Sequence, residues 1–163
     1  MATDRLLCHV NVEPAHIHRI CAELGALPAA EEYERTLRAK LARSENRFDF
    51  VFLGLGDDGH TASLFPGTAA LQVRDRWCVA NSVPAQPSDR VTLTYPVLNS
   101  ARRVVFLVTG VGKSQALRSV ITEPIDPERR PAQGIRPVRG DLIWLVDLEA
   151  ASVLPAATRA RYV

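Results

Sequence analysis

An aspartate and a histidine lie two positions apart in a glycine-rich stretch of this sequence, and these residue types are well suited to acid–base chemistry. The stretch, residues 50–67, is FVFLGLGDDGHTASLFPG. Histidine can act as a general base near neutral pH, and a neighbouring carboxylate can orient its ring and stabilise its protonated form. Asp58 and His60 are therefore the predicted catalytic pair. The alternative is that Asp58 only caps a helix and that His60 is a core polar group with satisfied hydrogen bonds.

The glycines of this stretch, Gly54, Gly56 and Gly59, also spell G-x-G-x-x-G, the pattern of dinucleotide-binding loops. In such loops backbone N–H groups approach a pyrophosphate closely. Here two aspartates occupy the intervening positions, and the segment WCVANSV lacks the ribose-binding carboxylate expected about 20 residues further on. We therefore predict that no dinucleotide binds. The glycines instead form a sharp turn from a strand to a helix, which displays side chains to a substrate.

Two hydroxyl residues, Thr61 and Ser63, follow the histidine and are expected at the start of a short helix. The free N–H groups of a helix start favour an anion or a developing oxyanion. Backbone N–H groups of residues 59–62 are the predicted oxyanion donors.

Three continuous apolar runs, FDFVFLG, RVVFLVTG and DLIWLVD, predict parallel strands that are buried on both faces. The segment RVTLTYPVL alternates, which predicts a strand with one polar face and then a helical turn. Helices are predicted over residues 31–43, GKSQALRSVI and LEAASVL. Strands alternating with helices predict an α/β fold, whose ligands bind at the carboxyl edge of the sheet. The proline-rich residues 122–140 predict a long loop of the kind that is often functional.

The bulk composition bounds the class of protein. The chain has 163 residues, 47% of them hydrophobic, and a net charge of +2, which indicates one globular domain and favours neither nucleic acid nor a membrane as partner. The N-terminal residues lack the pattern of a signal peptide. The three separated cysteines predict reduced, structural thiols in a cytoplasmic protein, with a catalytic thiol as the alternative.

Three longer segments resemble the 6-phosphogluconolactonase family. They are FDFVFLGLGDDGHTASLFPG, DRVTLTYPVLNSARRVVFLVTGVGKSQAL and PAQGIRPVRGDLIWLVDLEAA. The resemblance covers nearly the whole chain from about His16 onward. The related glucosamine-6-phosphate deaminases carry a similar D-G-H but continue with a string like IAFNEP, whereas this chain continues with TASLFPG.

The resemblance implies a three-layer α/β/α fold with a mainly parallel sheet, like that of sugar-phosphate isomerases. It implies a cytoplasmic enzyme of the pentose phosphate pathway that hydrolyses 6-phospho-D-glucono-1,5-lactone to 6-phosphogluconate without a metal or cofactor. His60 matches the general base proposed for the family. Arg90 and Lys113 match positions associated with the phosphate and sugar end of the substrate.

The resemblance also implies that an N-terminal part of the family's domain is missing. Family members carry a Gly-Gly-Ser-type phosphate loop and an acidic-Arg motif ahead of the matched region. Residues 1–163 are thus expected to form one partial domain with an exposed apolar sheet surface through which the chain self-associates. The alternative function is a non-catalytic sugar-phosphate-binding remnant or an interaction module.

Overall fold

A computed structural model describes residues 2–84 and 87–159 of the chain. Its α-helices are Ala2–Arg5 (α1), Ala26–Leu41 (α2), Tyr95–Ser100 (α3), Ser114–Thr122 (α4) and Ala156–Arg159 (α5). Its strands are Phe50–Leu53 (β1), Cys78–Asn81 (β2), Arg90–Leu93 (β3), Arg103–Val108 (β4) and Asp141–Val146 (β5). Short 3-10 helices cover Leu7–His9, Pro14–His16, Ala22–Leu24, Ala69–Gln72, Val111–Lys113 and Pro131–Gly134. None of the described helices is long and apolar enough to cross a bilayer.

The three continuous apolar runs form one parallel sheet, as predicted. Its order is β1-β4-β5, with β4 in the centre. The register aligns Leu53, Phe106 and Trp144 across the three strands. Because the strands are parallel, their carboxyl ends meet at one edge of the sheet and their amino ends at the other. The predicted α/β class is confirmed.

One face of this sheet carries the main core. Val104 and Phe106 of β4 are fully buried there, and Phe106 stacks on Trp144 with ring centroids 4.0 Å apart. Side chains of α3 and α4, including Leu98 and Leu117, pack into the same cluster. The inner face is thus closed by helices that immediately precede and follow the central strand.

The opposite face is largely open among the described residues. Phe52 is 64% exposed and Leu145 is 53% exposed, although both belong to apolar runs. The prediction that these strands are buried on both faces is therefore wrong for this chain. The expected exposed apolar sheet surface is present, and we call it the open sheet face, comprising Phe50, Phe52, Leu107 and Leu145.

Helix α2 packs on a second, antiparallel sheet made of β2 and β3. The predicted helix over residues 31–43 is present but begins earlier, at Ala26. Its buried side includes Ala30 and Leu37, which contact Cys78 of β2. The second sheet therefore has its own small core, beside the main one.

A buried carboxylate joins α2 to β2. Glu34 accepts hydrogen bonds from the Trp77 backbone N–H (2.8 Å), from Arg38 (2.8 Å) and from the Arg76 guanidinium. Burial alone would raise the pKa of Glu34, but these donors outweigh it and hold the pKa below its ordinary value of 4.5. Glu34 is therefore ionised at neutral pH, and it anchors the helix to the start of the strand.

Replacing this anchor is expected to destabilise the fold. Glu34→Ala should lower the free energy of unfolding at pH 7 by about 1–3 kcal/mol, because it leaves the Trp77 N–H buried without its acceptor. Glu31→Ala, which removes an exposed carboxylate from the same helix, should change it by less than about 0.5 kcal/mol. Urea unfolding followed by circular dichroism measures both.

The difference between wild type and Glu34→Ala has a predicted pH dependence. A carboxyl group whose pKa is lowered by folding stabilises the protein above its unfolded-state pKa, and this stabilisation disappears as the pH falls through the folded-state pKa. The gap should be fully present above about pH 4.5 and should shrink below it. A gap that is the same at pH 7 and pH 3 would contradict the ionised-anchor explanation.

One predicted helix is absent. Residues 148–154, the segment LEAASVL, form turns instead. The Asp147 carboxylate accepts one local and one distant donor: its Oδ1 accepts from the Ala150 N–H (2.7 Å) and its Oδ2 from the Gly110 N–H (2.9 Å). Asp147 therefore fastens the end of β5 to the end of β4 instead of leading into a helix.

Candidate active site

The loop that leaves the carboxyl end of β1 carries the predicted catalytic pair. Asp58 Oδ1 lies 2.6 Å from His60 Nδ1 and also accepts the His60 backbone N–H at 3.0 Å. The His60 ring stacks on Phe65, with centroids 4.0 Å apart and planes inclined by 24°. One carboxylate and one aromatic ring therefore fix both the position and the plane of the imidazole.

The ionised form of Asp58 is favoured by the histidine. Burial of the carboxyl would raise its pKa, but the hydrogen bonds from the backbone and ring of His60 outweigh that effect and hold the pKa below 3.8. In a neutral imidazole, a proton on Nδ1 that is donated to the ionised Asp58 leaves the lone pair on Nε2. The contact therefore turns Nδ1 toward the carboxylate and leaves Nε2 as the ring nitrogen available to act as a base.

Two of the glycines have steric reasons to be glycine. A Cβ on Gly56 would lie 2.0 Å from His60 Nδ1, so the imidazole occupies the space that any other side chain would need. Gly59 has φ +81°, a left-handed conformation, and a Cβ there would lie 3.3 Å from Arg130. The two glycines therefore allow the His60 ring to lie against the backbone of the turn at Gly56.

The helix predicted after this turn is absent. Thr61 and Leu64 form an isolated antiparallel bridge, and Ala62 has φ 51°. Two of the predicted oxyanion donors are also used within the loop, because the Gly59 N–H donates to the Gly56 carbonyl and the His60 N–H to Asp58. The prediction of a helix start at Thr61 and Ser63 is wrong, since a left-handed residue interrupts a helix.

Polar contacts from the second sheet hold the loop in this irregular shape. The Ser63 N–H donates to Thr92 Oγ1 (3.1 Å), and Asn81 Nδ2 donates to the Ser63 carbonyl (2.8 Å). Within the loop, Thr61 Oγ1 donates to the Gly54 carbonyl (2.8 Å). Thr92 belongs to the predicted polar face of β3, yet it is buried. Its position in an alternating strand was visible in the sequence, but its partner 29 residues away was not.

Lys113 lies in the same cavity as His60. The cavity has a volume of about 300 Å³ and is lined by Phe52, Leu53, Gly54, Leu55, Gly56, His60, Ala62 and Lys113. Lys113 follows β4, as predicted, and its Nζ donates to Asp57 Oδ1 at 2.6 Å. An ammonium group and an imidazole therefore share one cavity at the carboxyl edge of the parallel sheet.

Arg90 occupies a different place. It lines a cavity of about 490 Å³ together with Ser63, on the side of the loop that faces Gly25 and Ala26. Of the sequence-predicted residues, the structure thus brings together Gly54, Gly56, Asp58, His60 and Lys113, while Ser63 and Arg90 lie beside them. Thr61 is buried and supports the loop from behind.

The long loop over residues 122–140 supports the site, which the sequence indicated only in general terms. The Ala132 N–H donates to the Gly59 carbonyl (2.9 Å). Arg130 packs against Gly59 and pairs with Glu123 (2.7 Å). This loop therefore closes the back of the glycine turn.

The cysteines lie outside the site. Cys78 is fully buried, and burial raises the pKa of its thiol to about 12, so its reactive thiolate form is suppressed. Within residues 2–84 and 87–159 no group of three or more His, Cys, Asp or Glu side chains is arranged to hold a metal ion.

The chain is an α/β protein whose parallel sheet has a histidine–carboxylate pair and a lysine at its carboxyl edge. Residues 1–144 match the family model described as Glucosamine-6-phosphate isomerases/6-phosphogluconolactonase. The chain therefore belongs to this family.

Individual relatives support the lactonase side of the family. A probable 6-phosphogluconolactonase 1 of Arabidopsis thaliana is 41% identical, over 94% of this chain and 62% of its own length. The 6-phosphogluconolactonase of Synechocystis sp. is 42% identical, over 94% of this chain and 65% of its own length. The crystal structure of the devB protein superposes with a TM-score of 0.84 at 32% identity, covering 94% of this chain and 65% of that one. The chain thus spans less than two thirds of the length of these relatives.

The contact between Gly56 and His60 gives a direct test of the site geometry. Gly56→Ala should displace the imidazole and break its hydrogen bond with Asp58, because the new Cβ would lie 2.0 Å from Nδ1. Gly54→Ala is the matched control, since a Cβ there has nothing within 4 Å. The His60 ring resonances in NMR spectra should shift strongly in the first variant and little in the second. Equal, small shifts in both would contradict the placement of the ring.

Proposed function

We propose that this chain carries the water-activating part of a 6-phosphogluconolactonase. The reaction is the hydrolysis of 6-phospho-D-glucono-1,5-lactone to 6-phospho-D-gluconate in the pentose phosphate pathway. The observation that carries the proposal is the 2.6 Å contact between Asp58 Oδ1 and His60 Nδ1, made in a cavity that also holds Lys113. A cytoplasmic location belongs to the same proposal.

Hydrolysis of a lactone needs an activated water. His60 Nε2 takes a proton from water as the water oxygen attacks the C1 carbonyl, and the carbonyl electron pair moves onto its oxygen. The tetrahedral oxyanion then collapses and breaks the bond from C1 to the ring oxygen. The protonated imidazole returns its proton to that leaving oxygen, and the new carboxylic acid loses its proton to solvent. These reaction steps require no metal and no cofactor.

The surrounding residues assist this base in distinct ways. Asp58 stabilises the imidazolium while the proton resides on the ring. Phe65 keeps the ring plane fixed beneath the substrate. Lys113 supplies positive charge for the anionic phosphosugar, and its ion pair with Asp57 holds the position of its Nζ. Arg90 is proposed to bind the phosphate end from the far side of the loop, and the glycines with Thr61 and Ser63 shape the surface against which the sugar lies.

The decisive experiment measures acid release from fresh lactone at constant pH. The rate above spontaneous hydrolysis should fall by roughly 10²- to 10⁴-fold in His60→Ala, because general base catalysis contributes about that much. Asp58→Asn should lie between wild type and His60→Ala, since an amide no longer stabilises the imidazolium. His18→Ala, which removes an exposed histidine, is the matched control and should keep the parental rate. A His60→Ala variant with that rate would remove His60 from the mechanism.

A binding measurement separates the lactonase from a non-catalytic sugar-phosphate-binding module. Calorimetric titration with 6-phosphogluconate tests binding of the product independently of turnover. Product binding together with a rate equal to spontaneous hydrolysis would favour the non-catalytic module. A wild-type rate above the spontaneous one, lost in His60→Ala, would favour the lactonase.

We also infer that the isolated chain associates with a second copy of itself through the open sheet face. Exposed apolar patches of this kind mark interfaces or aggregation-prone surfaces. The charged residues on this face neutralise each other, because Arg103 Nη2 lies 3.1 Å from Asp141 Oδ2. The open sheet faces of two copies can therefore pack against each other without strong charge repulsion.

Sedimentation of the purified chain tests this inference. The wild type should sediment above the monomer mass of 17.9 kDa, and Phe52→Glu should shift it toward the monomer by placing a charge in the apolar contact. Leu148→Glu is the control, because Leu148 is 90% exposed but lies outside the sheet. A wild type that stays monomeric at high concentration would contradict the inference.

A further inference from the structure

A second cavity lies at the end of the parallel sheet opposite to His60. Its volume is about 600 Å³. Residues that precede β1, β4 and β5 line it, namely Arg47, Ser100 and Arg139. Because His60 follows the carboxyl end of β1, this cavity at the amino edge is separate from the proposed lactonase site. We call it the amino-edge cavity.

The amino-edge cavity carries an excess of positive charge. Among the residues that the structure describes, four arginines line it, and Glu45 is the one acidic residue. Glu45 Oε2 is shared between Arg102 Nη2 at 3.4 Å and Arg47 Nη1 at 4.0 Å. Within the described part of the chain, Arg136 and Arg139 have no carboxylate within ion-pair distance. The described acidic groups therefore leave the cavity with an excess of positive charge.

Arg47 is the most deeply placed of these cations. Its side chain is only 11% exposed, and its Nε is buried with no hydrogen-bond partner in the described part of the chain. Its Nη2 reaches the Arg139 carbonyl only at 3.4 Å. A buried guanidinium with an unused donor and a shared carboxylate is poorly compensated, and an anion in the adjoining cavity would compensate it.

The turn that delivers Arg47 is held in an unfavourable backbone conformation. Glu45 has φ 57° and Asn46 has φ 59°, so two successive non-glycine residues are left-handed. Such conformations persist only where the surroundings enforce them, and they concentrate at binding sites.

Apolar side chains line the cavity beside the arginines and favour an organic occupant over a simple inorganic ion. Tyr95, Pro96, Ile125 and Val138 line the cavity beside the arginines. Cavities of this volume fit drug-sized organic ligands, and guanidinium groups match phosphate oxygens in paired hydrogen bonds. We propose that the amino-edge cavity is a second binding site, which takes an organic phosphate with a ring or apolar body. This site does not depend on the proposed lactonase function.

Phenyl phosphate is the probe that combines both features, and inorganic phosphate is the reference. Titration of the ¹⁵N-labelled 163-residue chain should give saturable NMR shifts at the amides of Arg136 and Val138. These amides donate to the side chain and backbone oxygens of Asn99 at the cavity wall. Phenyl phosphate should bind more tightly than inorganic phosphate, because only the former contacts the apolar walls.

Two exposed arginines give a matched pair of variants. Arg139→Ala should weaken phenyl phosphate binding by roughly tenfold, as expected for the loss of one charged hydrogen bond. Arg118→Ala removes another exposed arginine, from α4, and should leave binding unchanged. Exposed arginines are chosen because a substitution of the buried Arg47 could prevent folding. Circular dichroism checks that both variants fold.

Three outcomes would overturn the proposal. They are the absence of saturable shifts, an equal loss of affinity in both arginine variants, and shifts confined to Gly56 and His60. The last would mean that phenyl phosphate binds only at the lactonase site. Lys113→Gln distinguishes the two sites, because it should leave the shifts at Val138 intact even where it weakens phosphosugar binding.

Discussion

The parallel pairing of β4 with β1 on one side and β5 on the other is the constraint on which both ends of the molecule depend. Parallel strands bring all their carboxyl ends to one edge, so the loop after β1 and the turn after β4 must meet there. His60 and Lys113 share a cavity for this reason, although 52 intervening residues separate them. The same pairing collects the segments that enter the strands at the other edge, where the arginines of the second cavity lie.

The second sheet holds the loop that carries His60 in shape. A loop without helical or sheet hydrogen bonds must satisfy its backbone groups elsewhere. Thr92 accepts a hydrogen bond from the Ser63 N–H, and Asn81 donates one to the Ser63 carbonyl. The sheet is in turn fixed to α2 through the buried carboxylate of Glu34, which takes the Trp77 N–H. Stability at this helix and geometry at the histidine are therefore linked through one strand pair.

The glycine pattern of the loop has a steric explanation within the protein itself. In a dinucleotide site the missing Cβ atoms let a pyrophosphate approach the backbone. Here the absent Cβ of Gly56 makes room for the imidazole ring, and Asp58 holds that ring from the other side. The absence of dinucleotide binding remains a prediction, but the steric need for Gly56 has an explanation that does not involve a nucleotide. The same residue types thus satisfy the motif for a different physical reason.

The parallel apolar strands, the family and the proximity of Asp58 to His60 could be predicted from the sequence alone. Each follows from a local pattern. Continuous Val, Leu and Phe runs predict the strands, the string DGHTASLFPG indicates the family, and a spacing of two residues in a tight turn brings Asp58 close to His60. Contacts between distant elements, in contrast, leave one face of the sheet open, bury Thr92, and place Arg90 in a neighbouring cavity. An apolar run has the same pattern whether one face or both are covered, because coverage depends on elements distant in the chain. The left-handed Ala62, which replaces the expected helix, likewise depends on contacts with β2, β3 and residues 130–132 that no local spacing encodes.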